Sequence, residues 1–225
     1  MDGWLSQLVD ANKITLAFSS PYPLDFEDLT RNLEGLGYSR PTDGVMRARM
    51  SDAGQPIPLQ RLCKPELDVF YDEQKGFLSI ESGRGVDKLQ DEIEPFFGKV
   101  LSLDTVVARP KWFEANFTCR KLGTEHPLTG PVESTTASKV FTDATDLEPK
   151  DFSRSLCSFM GGLPDQPLNQ IEDWAHVTVG AFVPNPRYYH MNFVCRRTSL
   201  DPVIKFYKSI PLMIEKLSNH ESWRE

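Results

Sequence analysis

Trp112-Phe-Glu-Ala-Asn-Phe-Thr-Cys-Arg-Lys-Leu122 sets Phe113, Ala115, Phe117 and Cys119 against Glu114, Asn116, Thr118 and Arg120. Side chains along a strand alternate between faces, so this run reads as a long strand with one buried and one wet face. Such a strand suits an antiparallel sheet that is covered on one side.

Working outward from it, residues 123–139 (GTEHPLTGPVESTTASK) have no hydrophobic period and are rich in Pro, Gly, Ser and Thr. That composition marks a linker near the middle of the chain. Beyond it, 139–142 read as a strand, and Pro149 suits the first turn of a helix carrying Phe152, Leu156, Phe159 and Met160. Trp174–Phe182 and Tyr188–Arg197 follow as two strands. A last helix over 200–218 carries Val203, Ile204, Tyr207, Ile210, Ile214 and Leu217 at helical spacing, with Pro211 inside it.

Upstream, the same order appears. Trp4, Leu5, Leu8 and Val9 suggest a short N-terminal helix over 3–11, and Ile14–Phe18 a strand. Asp25 can cap a helix carrying Phe26, Leu29 and Leu33, with Gly37 closing it. Residues 38–66 are irregular, with a short strand predicted within 45–50. Leu67–Tyr71 and Phe77–Ile80 form a hairpin signal around Asp72–Gly76. An apolar stripe then runs over 86–101, which Pro95 should kink or divide.

Both halves therefore read as strand, helix, two strands, helix. Pro23-Leu-Asp25-Phe26 is matched by Pro149-Lys-Asp151-Phe152, and Pro95-Phe-Phe by Pro211-Leu-Met. The expected fold is α+β: two tandem ferredoxin-like (βαββα) units with antiparallel sheets, the first over 1–122 with its N-terminal helix, the second over 140–225. Each sheet then has a face for which the other unit, a second copy or a partner is the natural cover.

Composition narrows the function classes. The 225 residues carry 25 Lys and Arg against 32 Asp and Glu, a net charge of −7, which opposes nucleic-acid binding. No apolar run reaches the ~18–20 residues of a membrane span. The opening MDGWLSQLVDANK lacks the basic segment of a signal peptide, so the expected location is cytoplasmic. The four cysteines, Cys63, Cys119, Cys157 and Cys195, are widely spaced and read as free thiols.

Among candidate sites, His176-Val-Thr178 resembles the H-x-T motif of the two-histidine phosphoesterases, a family also built of two similar lobes. The resemblance implies one imidazole as base and another as acid on a phosphoester, with Thr178 holding phosphate oxygens. This sequence departs from the family in having only one such motif: Leu67-Asp-Val-Phe-Tyr71 has no histidine, and His126 lies in a loop. His190, on a neighbouring strand, is the stand-in. A metal there would need a third ligand from Glu114, Glu172 or Asp173, and no spacing demands a metal or cofactor.

A basic stretch containing Arg47, Arg49 and Arg61 is a candidate for binding an acidic surface or phosphate. Trp112, Trp174 and Tyr188, at strand starts, are candidate interface anchors. With no catalytic set visible, the expectation is a non-catalytic macromolecule-binding protein with a protein partner, such as a microbial immunity or defence-accessory subunit, able to pair with itself. A phosphoesterase using His176, Thr178 and His190 and a small-molecule sensor with its ligand between the units are the alternatives.

Overall fold

The computed structural model describes residues 7–44, 46–51, 53–83, 86–122, 156–162, 173–182, 184 and 188–218. Its strands are β1 (Gln7–Phe18), β2 (Ala48–Met50), β3 (Pro56–Pro58), β4 (Gln60–Lys64), β5 (Leu67–Asp72), β6 (Phe77–Ser82), β7 (Pro110–Leu122), β8 (Leu156–Gly162), β9 (Trp174–Ala181) and β10 (Tyr188–Arg197). The helices are α1 (Phe26–Glu34), α2 (Val86–Gln90), α3 (Ile93–Leu101) and α4 (Leu200–Ser218).

Eight strands join in one sheet ordered β4-β5-β6-β1-β7-β10-β9-β8, while β2 and β3 form a separate hairpin. All neighbouring pairs in the large sheet are antiparallel. Read inward from its two edges, the sheet gives β4-β5-β6-β1 and β8-β9-β10-β7, so each side places three consecutive strands and then the strand that precedes them in the chain.

Alternation decides which face is covered. Ile14, Leu16, Val69, Tyr71, Leu78, Ile80, Phe113, Ala115, Phe117 and Phe193 are buried on one side and join the helices in a single core. Each helix is tied to that side. Phe26 of α1 stacks on Tyr71, and Phe97 of α3 meets Phe113 edge-on at 5.7 Å. Tyr207 of α4 donates its hydroxyl proton to Asn12 in β1 and lies 3.3 Å from the Val86 carbonyl in α2.

Local signals explain several boundaries. Asp25 caps α1 by accepting from the Asp28 N–H at 2.8 Å, and Gly37 follows at φ +84°. The 86–101 stripe is divided into α2 and α3, with Pro95 in the first turn of α3, where its missing N–H costs little. Gly76, in the β5–β6 turn, has φ +63°, and a Cβ there would lie 2.4 Å from the Ser20 carbonyl oxygen. Gly76→Ala should therefore destabilise by about 2–3 kcal/mol, the cost of a strained φ plus a backbone shift, read as a lower urea midpoint.

Burial also fixes a pH response. It pushes the Cys119 thiol and the Tyr71 phenol up to about 12, and raises Cys195, Tyr38 and Tyr207. In the unfolded chain these groups titrate near about 8.5 for Cys and about 10 for Tyr. Between those values and the folded ones the native state binds more protons, so stability falls as pH rises. The urea midpoint should drop steadily above about pH 9; an unchanged midpoint up to pH 11 would contradict this burial.

Three expectations are corrected. Residues 7–11 are strand, not helix: backbone pairing of β1 with β7 overrides a short apolar stripe, and a bulge between Val9 and Ala11 absorbs the break in alternation. Leu156, Phe159 and Met160 lie in strand β8, paired with β9, because a short apolar run fits either period and the neighbouring strand decides it. The two expected antiparallel sheets are joined side by side into one, because β7 hydrogen-bonds to β1 on one side and β10 on the other. The linker at 123–139, the strand at 139–142 and Phe152 lie outside the described residues.

Candidate functional site

The face of the sheet opposite the helices carries the other half of each alternation. From β7 it presents Trp112, Glu114, Asn116, Thr118 and Arg120. Register then aligns these with β10 and β9: Glu114 opposite Arg196 opposite Trp174, and Thr118 opposite Asn192 opposite Thr178.

At one end, Arg196 donates to Glu114 Oε2 through Nε at 2.9 Å and Nη2 at 2.6 Å. Its guanidinium lies 4.1 Å from the Trp112 ring centre and 5.6 Å from that of Trp174. Phe77 of β6 extends the cluster, 5.4 Å from Trp112. A planar cation between two indoles gains from both stacking and charge. Glu114 then fixes which way the guanidinium fork points.

The far end repeats the theme. Arg120 grips Asp10 with two donors, at 2.8 and 2.5 Å, and lies 4.9 Å from the Phe182 ring. His190 stacks on the same ring at 6.4 Å. The bulge in β1 supplies Asp10 at this point. Between the two clusters lie Lys13, Asn116, Thr118, Asn192 and Thr178, with Thr118 donating to Asn192 at 2.9 Å.

The structure thus brings Trp112 and Trp174 together around Arg196, which sequence reasoning had not singled out as an anchor. Tyr188 stands apart, eight positions from Arg196 along β10, or roughly 26 Å at the strand rise. Arg120, Glu114 and Phe182 also join the site. Their alternation was visible, but the register that pairs them was not.

The histidines do not share a site. His176 lies opposite Val194 and His190 opposite Gly180, four positions apart along β10 and hence roughly 13 Å. A phosphate held by both imidazoles needs each nitrogen within about 3 Å of it, and His190 is turned onto Phe182. Two of the candidate third ligands are engaged, Glu114 with Arg196 and Asp173 with the Thr198 N–H at 3.0 Å, and Glu172 lies outside the described residues.

Arg47, Arg49 and Arg61 are committed internally. Arg47 pairs with Glu81 and covers the Phe70 ring at 4.4 Å. Arg49 reaches Asp72 at 2.5 Å and Gln74 at 2.7 Å. Arg61 binds Asp68 at 2.7 Å and Asp43 at 2.8 Å.

No family model and no curated protein matches the sequence. Among solved structures, a Methanococcus jannaschii TBP aligns over 93% of this chain and 98% of its own, with 9% identity and a TM-score of 0.31. A likeness that small carries no argument for function. No helix among the described residues is long and apolar enough to cross a membrane.

Proposed function

We propose that this chain is a non-catalytic protein-binding module that docks its partner on the face of β1, β7, β10 and β9 that is turned away from the described helices. The observation that carries the reading is the Trp112–Arg196–Trp174 stack, oriented by Glu114, at one end of that face. Tryptophan and arginine are the residue types most enriched among dominant interface contacts. Four strands about ten residues long offer roughly 600 Å², close to the ~800 Å² per partner of a standard interface. The repeated order within the sheet also supports the view that the chain holds two copies of one unit, with β7 opening the second copy and the boundary therefore lying before Pro110 rather than after Leu122.

Neither alternative gains support from the geometry. The phosphoesterase reading needs two histidines on one phosphate, and register keeps them apart. The sensor reading asks for an apolar pocket between the halves. There β1 and β7 are hydrogen-bonded directly, and the nearby cleft of about 340 Å³ is polar, lined by Gln90, Asp91, Glu94, Pro95 and Lys208 and bridged by the 2.9 Å Lys208–Glu94 pair.

The test is affinity capture with the full chain, followed by binding measurements on the purified partner using face variants and a helix-side control. Retained binding by the Trp112→Ala, Trp174→Ala double variant would overturn the proposal.

A further inference from the structure

The hairpin β2–β3 lies on the same face, away from the described helices, but over β5 and β6 rather than over the Trp112–Arg196 half. Among the described residues of 39–59, none belongs to the hydrophobic core. Its methionines point away: Met46 is 82% and Met50 63% exposed. Pro56 and Pro58 leave β3 without two backbone donors, which keeps the hairpin from fusing with the large sheet. A cavity of about 290 Å³ separates Ile57, Pro58 and Leu59 from Tyr71, Asp72 and Gln74.

What holds the hairpin down is arginine chemistry. Arg47 and Arg49 are two apart on an extended segment, so both side chains face the sheet. One meets Glu81 and the Phe70 ring, the other Asp72 and Gln74. Phe70 is buried to 5% exposure although it faces away from the described helices, under the guanidinium of Arg47 at 4.4 Å and that of Arg61, its neighbour on β4, at 6.0 Å. The surface of β5 and β6 thus offers an extended Arg-x-Arg the Phe70 ring for stacking, with Glu81 and Asp72 to either side of that ring along the strands, in a protein of net charge −7.

We infer that the hairpin is a displaceable clip that occupies, with its own Arg47 and Arg49, a docking surface for an extended Arg-x-Arg segment of a partner protein. The clip is held by ion pairs rather than by core packing, so screening loosens it while the sheet persists. A partner segment takes the same carboxylates with the same contacts and must outweigh the local-concentration advantage of the tethered hairpin through its further contacts, such as those on the adjoining face. This surface takes its ring and carboxylates from β5 and β6 rather than from β7, β10 and β9, and it adjoins the face proposed above at Phe77, which stands opposite Asp72 and meets Trp112.

The test uses the full chain and a labelled peptide of residues 45–51, VMRARMS, at low salt. The Arg47→Ala, Arg49→Ala variant should bind the peptide at least ten-fold more tightly than the wild type does. Adding Asp72→Asn and Glu81→Gln should remove that gain, and a peptide with lysine in place of both arginines should bind several-fold more weakly. Equal binding to wild type and double variant, no binding to either, or a gain that survives loss of both carboxylates would overturn the inference. A second measurement needs no variant. Trypsin cleavage after Arg47 and Arg49 in the wild type should rise at least five-fold from 50 to 500 mM salt, normalised to the free peptide, and an unchanged ratio would equally overturn it.

Discussion

Arg196→Ala weakens binding of the partner about 100-fold or more, while Arg196→Lys restores little of it. The guanidinium is the centre of the stack, and its removal does three things. It deletes the cation between two indoles, it frees Trp112 and Trp174 to reorient, and it leaves Glu114, whose side chain is only 15% exposed, without its charge partner. Truncating one member of a desolvated charge pair at an interface costs about 2–5 kcal/mol, which spans this loss. Lysine keeps the charge but has neither the planar face for the indoles nor the two-donor grip on Glu114. Titration calorimetry with the purified partner measures the effect, and a urea curve on each variant separates it from any loss of folding. A change of less than three-fold at unchanged stability would show that the stack is not an anchor.

Phe117→Ala is the substitution expected to cost most in stability, about 3–5 kcal/mol. Phe117 is fully buried on β7, the strand that joins both sides of the sheet, and its ring lies 6.2 Å from that of Phe193 on β10. Removing it leaves a void beneath the seam, where β1, β7 and β10 cannot collapse without losing register. Against a total of about 5–15 kcal/mol for a folded domain, this is a large fraction. Thr118→Ala, one residue along and on the opposite face, should cost less than about 1 kcal/mol, because it removes only the hydrogen bond to Asn192. The pair of values, read from urea unfolding, tests which face of β7 holds the fold together. Similar costs for both would contradict the assignment.

Those opposite expectations for neighbouring residues were already legible in the alternation from Trp112 to Leu122. The same period identified the hairpin strands and the amphipathic helices, because burial on one face imposes it directly. Where it was silent or misleading, the deciding interaction was non-local. Residues 7–11 and 156–160 fit helical spacing over a few positions, and only pairing with β7 and β9 makes them strands. Strand β4 was not read at all: Gln60-Arg-Leu-Cys-Lys64 has one fully buried apolar side chain, Leu62. That is too little pattern to see without β5 beside it.

The site divides in the same way. Trp112 and Trp174 stood out by residue type, yet they are 62 positions apart in the chain and meet only through the register that places Arg196 between them. Arg47, Arg49 and Arg61 stood out as a basic cluster. Their carboxylate partners, Glu81, Asp72, Asp68 and Asp43, are spread through the first half, so internal neutralisation could not be read from composition. His176 and His190 illustrate the converse. Neighbouring strands suggested proximity, and a four-residue offset in pairing removed it.

Hydroxyl-radical footprinting of the chain alone and in complex with its captured partner tests the central claim most directly, because it reports side chains and so distinguishes the two faces of one strand. The account predicts protection of Trp112, Trp174 and Phe182, with the exposed helix-layer residues Val107 and Leu212 oxidised equally in both states. Protection confined to the helix layer, with Trp112 and Trp174 unchanged on binding, would contradict it.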